Sequence, residues 1–197
     1  MTRKPTIIRQ EEIKKAVLDI VRTEGIKSVS TKNLAKYAGI SEGAIFRHFK
    51  SKREIILSII NDVSIDLVGR LRKIALDSSD PEKRLFKFIC STIRYLTENN
   101  GITMLLFSEA SHSNDTEMME KLNYIFNSQR KLVGKIILDG IAEGIWEESI
   151  SVEDVTLLYM GIPITLNINL IISKGVFHQD DFCKKMMFLI ERILRKS

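Results

Sequence analysis

Apolar residues recur at helical spacing along almost the whole chain, and this feature restricts the fold most. Between residues 13 and 21 they stand three and four positions apart, with charged residues between them. This spacing is typical of one face of an α-helix. A second series runs from Ile55 to Leu71. No window alternates with the period of two that indicates a half-buried strand. The sequence therefore predicts an all-α protein with about nine helices.

Glycines are expected to end the first two helices, and hydroxyl side chains to begin the next three, because these residue types cap helix ends. The expected ends are Gly25 and Gly39, the expected starts are Ser30 or Thr31, then Ser41 and Ser51, and the third helix is predicted to continue through His48. Further helices are predicted at about 81–98, 102–110, 116–143, 152–174 and 180–196.

Charge is distributed unevenly along the chain. Residues 1–53 contain 13 Lys and Arg against 5 Asp and Glu, a net charge of +8. The other 144 residues contain 17 against 20, a net charge of −3, so the whole chain carries +5. A basic first quarter indicates that the N-terminal part meets a polyanion. On charge alone, a basic face that is merely solvated is an equal alternative.

The two cysteines bear on the cellular compartment. Cys90 and Cys183 lie far apart in sequence and form no Cys-x-x-Cys pair. We expect two buried or inert thiols, as in a reducing cytoplasm. The first residues contain no long apolar run of the kind found in a secretory signal, which also favours a cytoplasmic protein.

Residues 155–173 contain no charged side chain and are long enough to cross a bilayer. The segment nevertheless contains Pro163, Asn167 and Asn169, and polar side chains are costly in hydrocarbon. A helix that is apolar on most of its faces is also found inside a protein or between subunits. We therefore expect no membrane contact.

Residues 31–48 read as two short helices that meet at a sharp turn. Gly39 is suited to that turn, because glycine adopts left-handed backbone conformations without strain. Ala35 is small where the two helices cross, and Leu34 and Ile45 supply apolar contacts between them. This pattern predicts a helix-turn-helix, whose second helix enters the major groove of DNA. A purely structural helical corner is the alternative.

The run from Ile13 to Leu57 resembles the DNA-binding domain of the TetR family of transcriptional regulators. The matching residues are Gly25, Ser30-Thr31, Leu34-Ala35, Ala38-Gly39-Ile40-Ser41, Gly43, Ile45-Phe46, His48-Phe49, Ser51-Lys52 and Ile56-Leu57. The rest of the chain is similar to the family only in length and helix count. The resemblance implies a DNA-binding domain at 1–53 and a helical effector-binding and dimerisation domain at 54–197.

The resemblance also implies which residues contact DNA. Phosphate contacts are expected from Thr31, Lys32, Lys50 and Lys52, groove contacts from Ser41, Gly43, Ala44 and Arg47, and a further contact from Phe46. His48 is a further candidate contact, with a capping or packing role as the alternative. Arg47 is the candidate for a bidentate contact with guanine. Phe46 stands where the family usually has tyrosine, so we expect packing against the DNA backbone or a thymine methyl. Arg53 is expected to contact a phosphate or to pair with a carboxylate.

Two sets of residues are candidates for an effector pocket, with ordinary core packing as the alternative. A Met- and aromatic-rich stretch supplies one set, and polar groups in the uncharged helix supply the other. The candidates are Met104, Phe107, Met118, Tyr124, Tyr159 and Asn167. The resemblance implies a small apolar effector, and neither a cofactor nor a metal is expected.

The function that this resemblance implies is a ligand-responsive repressor that binds a palindromic operator as a homodimer. The expected dimer contacts lie at about 152–174 and 180–196. A small metal-dependent or hydrolytic enzyme is the first alternative. His112 with Asp115, and His178 with Asp180, offer its candidate ligands, but neither has helical His-x-x-x-His spacing. A protein-interaction module that does not bind DNA is the second alternative.

Overall fold

The computed structural model describes residues 5–112, 114–172 and 177–195, except for the side chain of His112. These ranges contain no strand and nine α-helices, when the uninterrupted helical stretch 52–75 is counted once, as well as a short 3₁₀ helix at Ile26–Ser28. The helices are α1 (Thr6–Glu24), α2 (Thr31–Ala38), α3 (Glu42–Ile45), α4 (52–75), α5 (Pro81–Glu98), α6 (Ile102–His112), α7 (Thr116–Ala142), α8 (Val152–Ile172) and α9 (Gln179–Leu194). The predicted all-α fold is confirmed. Residues 173, 174 and 196 of the predicted dimer segments lie outside the described residues.

The helices form two compact units. The first comprises the chain up to Val63 together with Asn99–Leu122, and the second comprises Ser64–Glu98 together with the chain from Asn123 onward. The predicted division into domains at residues 53 and 54 stays a prediction.

Helix α1 contacts three other helices of the first unit, namely α2, α4 and α6. Its buried apolar face has the predicted spacing and consists of Ile13, Ala16, Val17, Ile20 and Val21. The chain before α6 lies directly against α1 at Gly101, where φ is +102°. A Cβ at this position would lie 2.6 Å from the carbonyl oxygen of Leu18. Glycine is therefore required here both for the backbone conformation and for the close approach.

Three serines cap helices of the first unit as predicted. The hydroxyls of Ser30, Ser41 and Ser51 each accept a hydrogen bond from the backbone N–H three residues later, at 3.2 Å in every case. Gly39 ends α2 in the left-handed conformation, with φ 65° and ψ 35°. These contacts determine where α2, α3 and α4 begin. They therefore also determine which residues belong to α3.

Helix α3 is shorter than the predicted helix through His48. Only Glu42–Ile45 are α-helical, and turns follow from Phe46 to His48. The N–H groups of His48 and Phe49 both donate to the carbonyl oxygen of Ile45, at 2.9 and 3.0 Å. Such a shared acceptor tightens the last turn, which ends the helix early.

In the second unit, α5 contacts α8, α9 and the Gly69–Ala75 part of α4. Arg84 of α5 is buried and donates to the carbonyl oxygen of Ala75 at 3.0 Å and to Asp139 of α7 at 2.8 Å. One guanidinium thus joins three helical segments. A buried cation of this kind is tolerated because it is both paired and hydrogen-bonded.

Cys90 of α5 and Cys183 of α9 form a disulfide, with their Cα atoms 5.4 Å apart. The prediction of two free thiols was wrong. The cysteines are separated by 93 residues in sequence. The packing of α9 on α5 brings them together, and this is a long-range contact that sequence spacing does not report.

Helix α8 contains the uncharged segment, and by length and composition it is apolar enough to cross a membrane. One face is buried in the second unit, where Val155, Tyr159, Ile162 and Leu166 lie. The opposite face exposes Leu157, Leu158, Ile164, Ile168, Ile171 and Ile172. Within the part of the chain that the structure describes, α8 thus has one face buried in protein and one apolar face exposed.

Candidate nucleic-acid interface

Two buried residues hold α3 and the turn after it against the first unit, while Phe46 and Arg47 between them are exposed. Ile45 and Phe49 are 1% and 4% exposed. Ser41, Gly43 and Arg47 are exposed, and Phe46 is 52% exposed. Ala44 is half-buried. Of the four predicted groove contacts, Ser41, Gly43 and Arg47 are therefore accessible and Ala44 is partly so, and Phe46, the predicted packing contact, is accessible too.

Four cations among the predicted DNA contacts are exposed. They are Lys32, Arg47, Lys50 and Lys52. Among the described residues, none of these four side chains forms an ion pair. Unpaired cations beside an exposed, short helix can receive phosphate oxygens, which is the arrangement that positions a protein on DNA.

Arg53 differs from the neighbouring cations because carboxylates occupy its guanidinium. It pairs with Asp115 and also donates to Glu117 at 2.8 Å. Asp115 in turn accepts from the backbone N–H of Met118 at 3.1 Å, at the start of α7. The Arg53 guanidinium and these backbone N–H groups hold the pKa of Asp115 below its usual range. Of the two expected roles for Arg53, the structure has the ion pair.

Thr31 and Glu42 link the starts of α2 and α3. The Thr31 hydroxyl donates to the Glu42 carboxylate at 2.9 Å. Thr31, a predicted phosphate contact, is thus engaged in the free protein. Glu42 was not among the predicted contact residues, although its place at the start of the predicted reading helix was visible in the sequence.

His48 is only half-exposed, and its Nδ1 is buried without a hydrogen-bond partner among the described residues. Its carbonyl oxygen accepts from the side chain of Gln10 on α1 at 3.1 Å. This hydrogen bond therefore joins the turn after α3 to α1. Its predicted contact with DNA stays a prediction.

The predicted effector residues fall in different parts of the fold. Met104, Phe107 and Met118 belong to the first unit, where Met118 is buried and Phe107 is 65% exposed. Tyr124, Tyr159 and Asn167 belong to the second unit, where Tyr124 is 50% exposed. Asn167 lies eight positions after Tyr159 on α8, about 12 Å along the helix. Their role as pocket residues stays a prediction.

Tyr159 is fully buried and lies in a polar cluster that the sequence analysis missed. Its hydroxyl donates to Gln129 of α7 at 3.1 Å and lies 2.8 Å from the hydroxyl of Thr92 on α5. Burial raises the pKa of Tyr159. Gln129 stands between Ile125 and Leu132 at the spacing of the apolar face of α7. A polar residue in this apolar series was the sequence feature that could have indicated the cluster. Among the described residues, no group of three His, Cys, Asp or Glu side chains could hold a metal ion.

Comparisons with known proteins agree with the helix-turn-helix geometry. Residues 15–59 match the family model described as bacterial regulatory proteins, tetR family. Nucleoid occlusion factor SlmA of Aliivibrio fischeri is 29% identical over 125 residues, which are 63% of this chain and 63% of that protein. The match thus spans less than two thirds of the length of SlmA. The HTH-type transcriptional repressor KstR2 of Mycolicibacterium smegmatis is 24% identical over 157 residues, 80% of this chain and 75% of that protein.

Solved structures show the same fold over nearly the whole chain. The ketosteroid transcriptional regulator KstR2 of Mycobacterium tuberculosis superposes with a TM-score of 0.84 at 17% identity, covering 96% of each chain. FadR from Bacillus subtilis, solved in complex with stearoyl-CoA, superposes with a TM-score of 0.71 at 19% identity and covers 91% of this chain and 96% of that one.

Proposed function

We propose that this chain, whose residues 15–59 belong to the tetR family of bacterial regulatory proteins, is a cytoplasmic, DNA-binding transcriptional repressor. It binds a palindromic operator as a homodimer and is released by a small apolar effector. It is not an enzyme in this proposal.

The observation that carries the proposal is the surface of α3 and its surroundings. Arg47 and Phe46 point outward, with unpaired Lys50 and Lys52 beside them among the described residues. Arg47 is the guanine-reading residue, because its planar fork matches the O6 and N7 acceptors of guanine. The lysines bind phosphates and fix the position of the helix on the duplex.

A second copy of this chain covers the exposed apolar face of α8. Helix α9 contacts α8 and also exposes apolar side chains, namely Phe188, Leu189 and Ile193, each about half-exposed. A dimer also serves the reading of DNA, since two reading helices at about 34–36 Å match the half-sites of a palindrome.

The effector is proposed to be apolar with a limited polar part. KstR2 is named as a ketosteroid regulator, and FadR was solved with stearoyl-CoA. Both names describe those proteins, and for this chain they support only the class of an extended apolar molecule. Such an effector releases DNA only if it binds the two conformations of the protein with different affinity.

Selection from a random duplex library, followed by fluorescence anisotropy at several salt concentrations, tests DNA binding. We expect a palindromic consensus, and an affinity that falls steeply with salt as phosphate contacts release counterions. Arg47→Ala should relax the preference at one position of each half-site by about tenfold. Arg70→Ala removes an exposed arginine of α4 and is the matched control. The absence of both duplex binding and a consensus would refute the proposal.

The dimer is tested separately by light scattering and native mass spectrometry. Ile168→Glu places a charge on the exposed face of α8 and should yield a monomer at micromolar concentration. Ile65→Glu is the control, because Ile65 is 71% exposed on α4 and outside the proposed interface. A dimer that withstands Ile168→Glu would exclude the α8 face as the contact. Native spectra of the untreated protein also test for a co-purified small molecule.

A further inference from the structure

Glu42 places a negative charge on the surface that we assign to DNA. It is the first residue of α3 and is exposed. Among the described residues, no cation pairs with its carboxylate. Oε2 of the side chain accepts a hydrogen bond from the Thr31 hydroxyl, at 2.9 Å. This bond holds the carboxylate at the junction of α2 and α3, between residues assigned to phosphates and residues assigned to bases.

A carboxylate held in this place is unfavourable beside a DNA backbone, since it repels phosphates and loses hydration on docking. The cost is offset only if the carboxylate meets a hydrogen-bond donor in the groove. In the major groove, the donors are the N4 amino group of cytosine and the N6 amino group of adenine. Guanine presents two acceptors there, and thymine presents an acceptor oxygen and an apolar methyl group, so neither base offers a donor to a carboxylate.

Cytosine is the better partner of the two donor bases. Adenine places its N7 acceptor next to its amino group, whereas cytosine itself presents only the N4 amino donor. A carboxylate has no proton with which to satisfy adenine N7, while a Gln or Asn side chain bonds both adenine atoms at once. The charge of Glu42 therefore distinguishes cytosine from adenine.

We propose that Glu42 is a specificity-determining residue that accepts a hydrogen bond from the N4 amino group of a cytosine in each operator half-site. Thr31 is the positioning residue that orients its carboxylate. This inference rests on the proposed DNA-binding function. It gives the interface one acidic reader next to the basic reader Arg47, and each is suited to a different base.

The proposal predicts that removal of the charge raises the affinity for non-specific DNA and changes the preferred base. Glu42→Gln retains the size of the side chain and an acceptor for Thr31 but removes the repulsion from phosphates. Non-specific duplex should therefore be bound severalfold more tightly at low salt. At one position of each half-site, the preference should change from cytosine to adenine by about tenfold, because glutamine is suited to the two adenine atoms.

The experiment is selection from a random duplex library with the full-length protein, its Glu42→Gln variant and a Glu148→Gln control, followed by competition with single-base operator variants. Glu148 is exposed in the chain between α7 and α8, and its replacement makes the same charge change elsewhere. The expected result is a change at one consensus position for Glu42→Gln alone. An unchanged consensus would overturn the inference, even if non-specific affinity rises, because that outcome assigns only repulsion to Glu42.

Variants of Thr31 test the positioning role. Thr31→Val removes the hydroxyl and should relax the preference at the same position as Glu42→Gln, while Thr31→Ser should restore it. Equal weakening on all sequences by Thr31→Val would instead assign Thr31 only to a phosphate and would overturn the positioning role. Failure of the unmodified protein to select any duplex sequence is a different result, and it refutes the proposed function itself.

Discussion

Arg53 and Asp115 form an ion pair that joins the start of α4 to the residue before α7. The pair lies within the first unit, and Glu117 accepts a further hydrogen bond from the same guanidinium. Arg53 follows Lys52, which we assign to a phosphate, so an arginine close to the proposed DNA surface is neutralised by two carboxylates. Arg53 therefore does not add to the positive charge that this surface offers to DNA.

Release of Arg53 is expected to strengthen non-specific DNA binding. In an Asp115→Asn, Glu117→Gln double variant the guanidinium is free to bind a phosphate. One added phosphate contact makes the slope of log affinity against log salt more negative by about 0.9 for each subunit. Anisotropy titrations between low and moderate salt measure this slope. Arg53→Gln in the otherwise unmodified chain should leave this slope nearly unchanged. A loss of DNA affinity in that variant would contradict the assignment of Arg53 to the carboxylates.

The same pair predicts a stability that depends on acid. The pKa of Asp115 is lowered in the folded protein, mainly by the Arg53 guanidinium. A carboxyl with a depressed folded-state pKa contributes stability above its unfolded value of about 3.9, and that contribution disappears as the pH falls through the folded-state pKa. The melting temperature of the protein should therefore exceed that of Asp115→Asn at neutral pH, and the difference should shrink below about pH 4. Asp66→Asn, at an exposed site on α4, provides the comparison. A difference that is constant with pH would contradict the prediction.

Two glycines of α7 should respond differently to replacement by alanine. A Cβ at Gly140 would lie 2.8 Å from Cδ2 of the buried Trp146 and still closer to its Cε3 and Cζ3 atoms. Because the indole cannot move without disturbing the core, Gly140→Ala should destabilise the protein by about 1–3 kcal/mol. A Cβ at Gly134 meets its nearest atom at 3.6 Å, so Gly134→Ala should be neutral or stabilise by up to about 1 kcal/mol. Urea unfolding of both variants measures these effects, and equal effects would contradict the packing argument.

Features set by neighbouring residues could be predicted from the sequence. The apolar face of α1 and the caps Ser30, Ser41 and Ser51 depend on spacing and on a side chain three residues from its partner, so local chemistry is sufficient. The end of α3 is also local, but it depends on a carbonyl of Ile45 that is shared by two N–H groups. Residue type alone does not report such a bond, and this is why α3 was predicted too long.

Pairs that are distant in sequence could not be predicted. To predict these contacts, one must know which helices pack together. They are the Thr31–Glu42 hydrogen bond, the Arg53–Asp115 ion pair and the Cys90–Cys183 disulfide. Sequence patterns specify the buried face of each helix but not its neighbour. In the candidate DNA surface, local sequence was enough to expect that Ser41, Gly43 and Arg47 are exposed, while the contact that orients Glu42 could not be expected.

The disulfide should make thermal stability depend on redox state. The bond closes a loop across a sequence separation of 93 residues, for which the chain-entropy model gives a stabilisation of about 4–5 kcal/mol. For a chain of this size, reduction should lower the melting temperature by roughly 10 °C. Cys183→Ser should melt near the reduced temperature whether or not reductant is present. Alkylation of both cysteines in the air-oxidised, native protein would contradict the bond.

The buried cluster around Tyr159 should be sensitive to the loss of one hydroxyl group. In Tyr159→Phe, the Gln129 carbonyl oxygen loses its donor and the Thr92 hydroxyl loses a partner within an apolar core. An unpaired buried polar group costs about 1–3 kcal/mol, so the variant should unfold at a lower urea concentration. Tyr124→Phe removes the same hydroxyl from a side chain that is 50% exposed and should change stability little. If Gln129→Leu combined with Tyr159→Phe and Thr92→Val recovers much of the lost stability, then unpaired polar groups cause the loss. No recovery would instead assign the loss to packing around the ring.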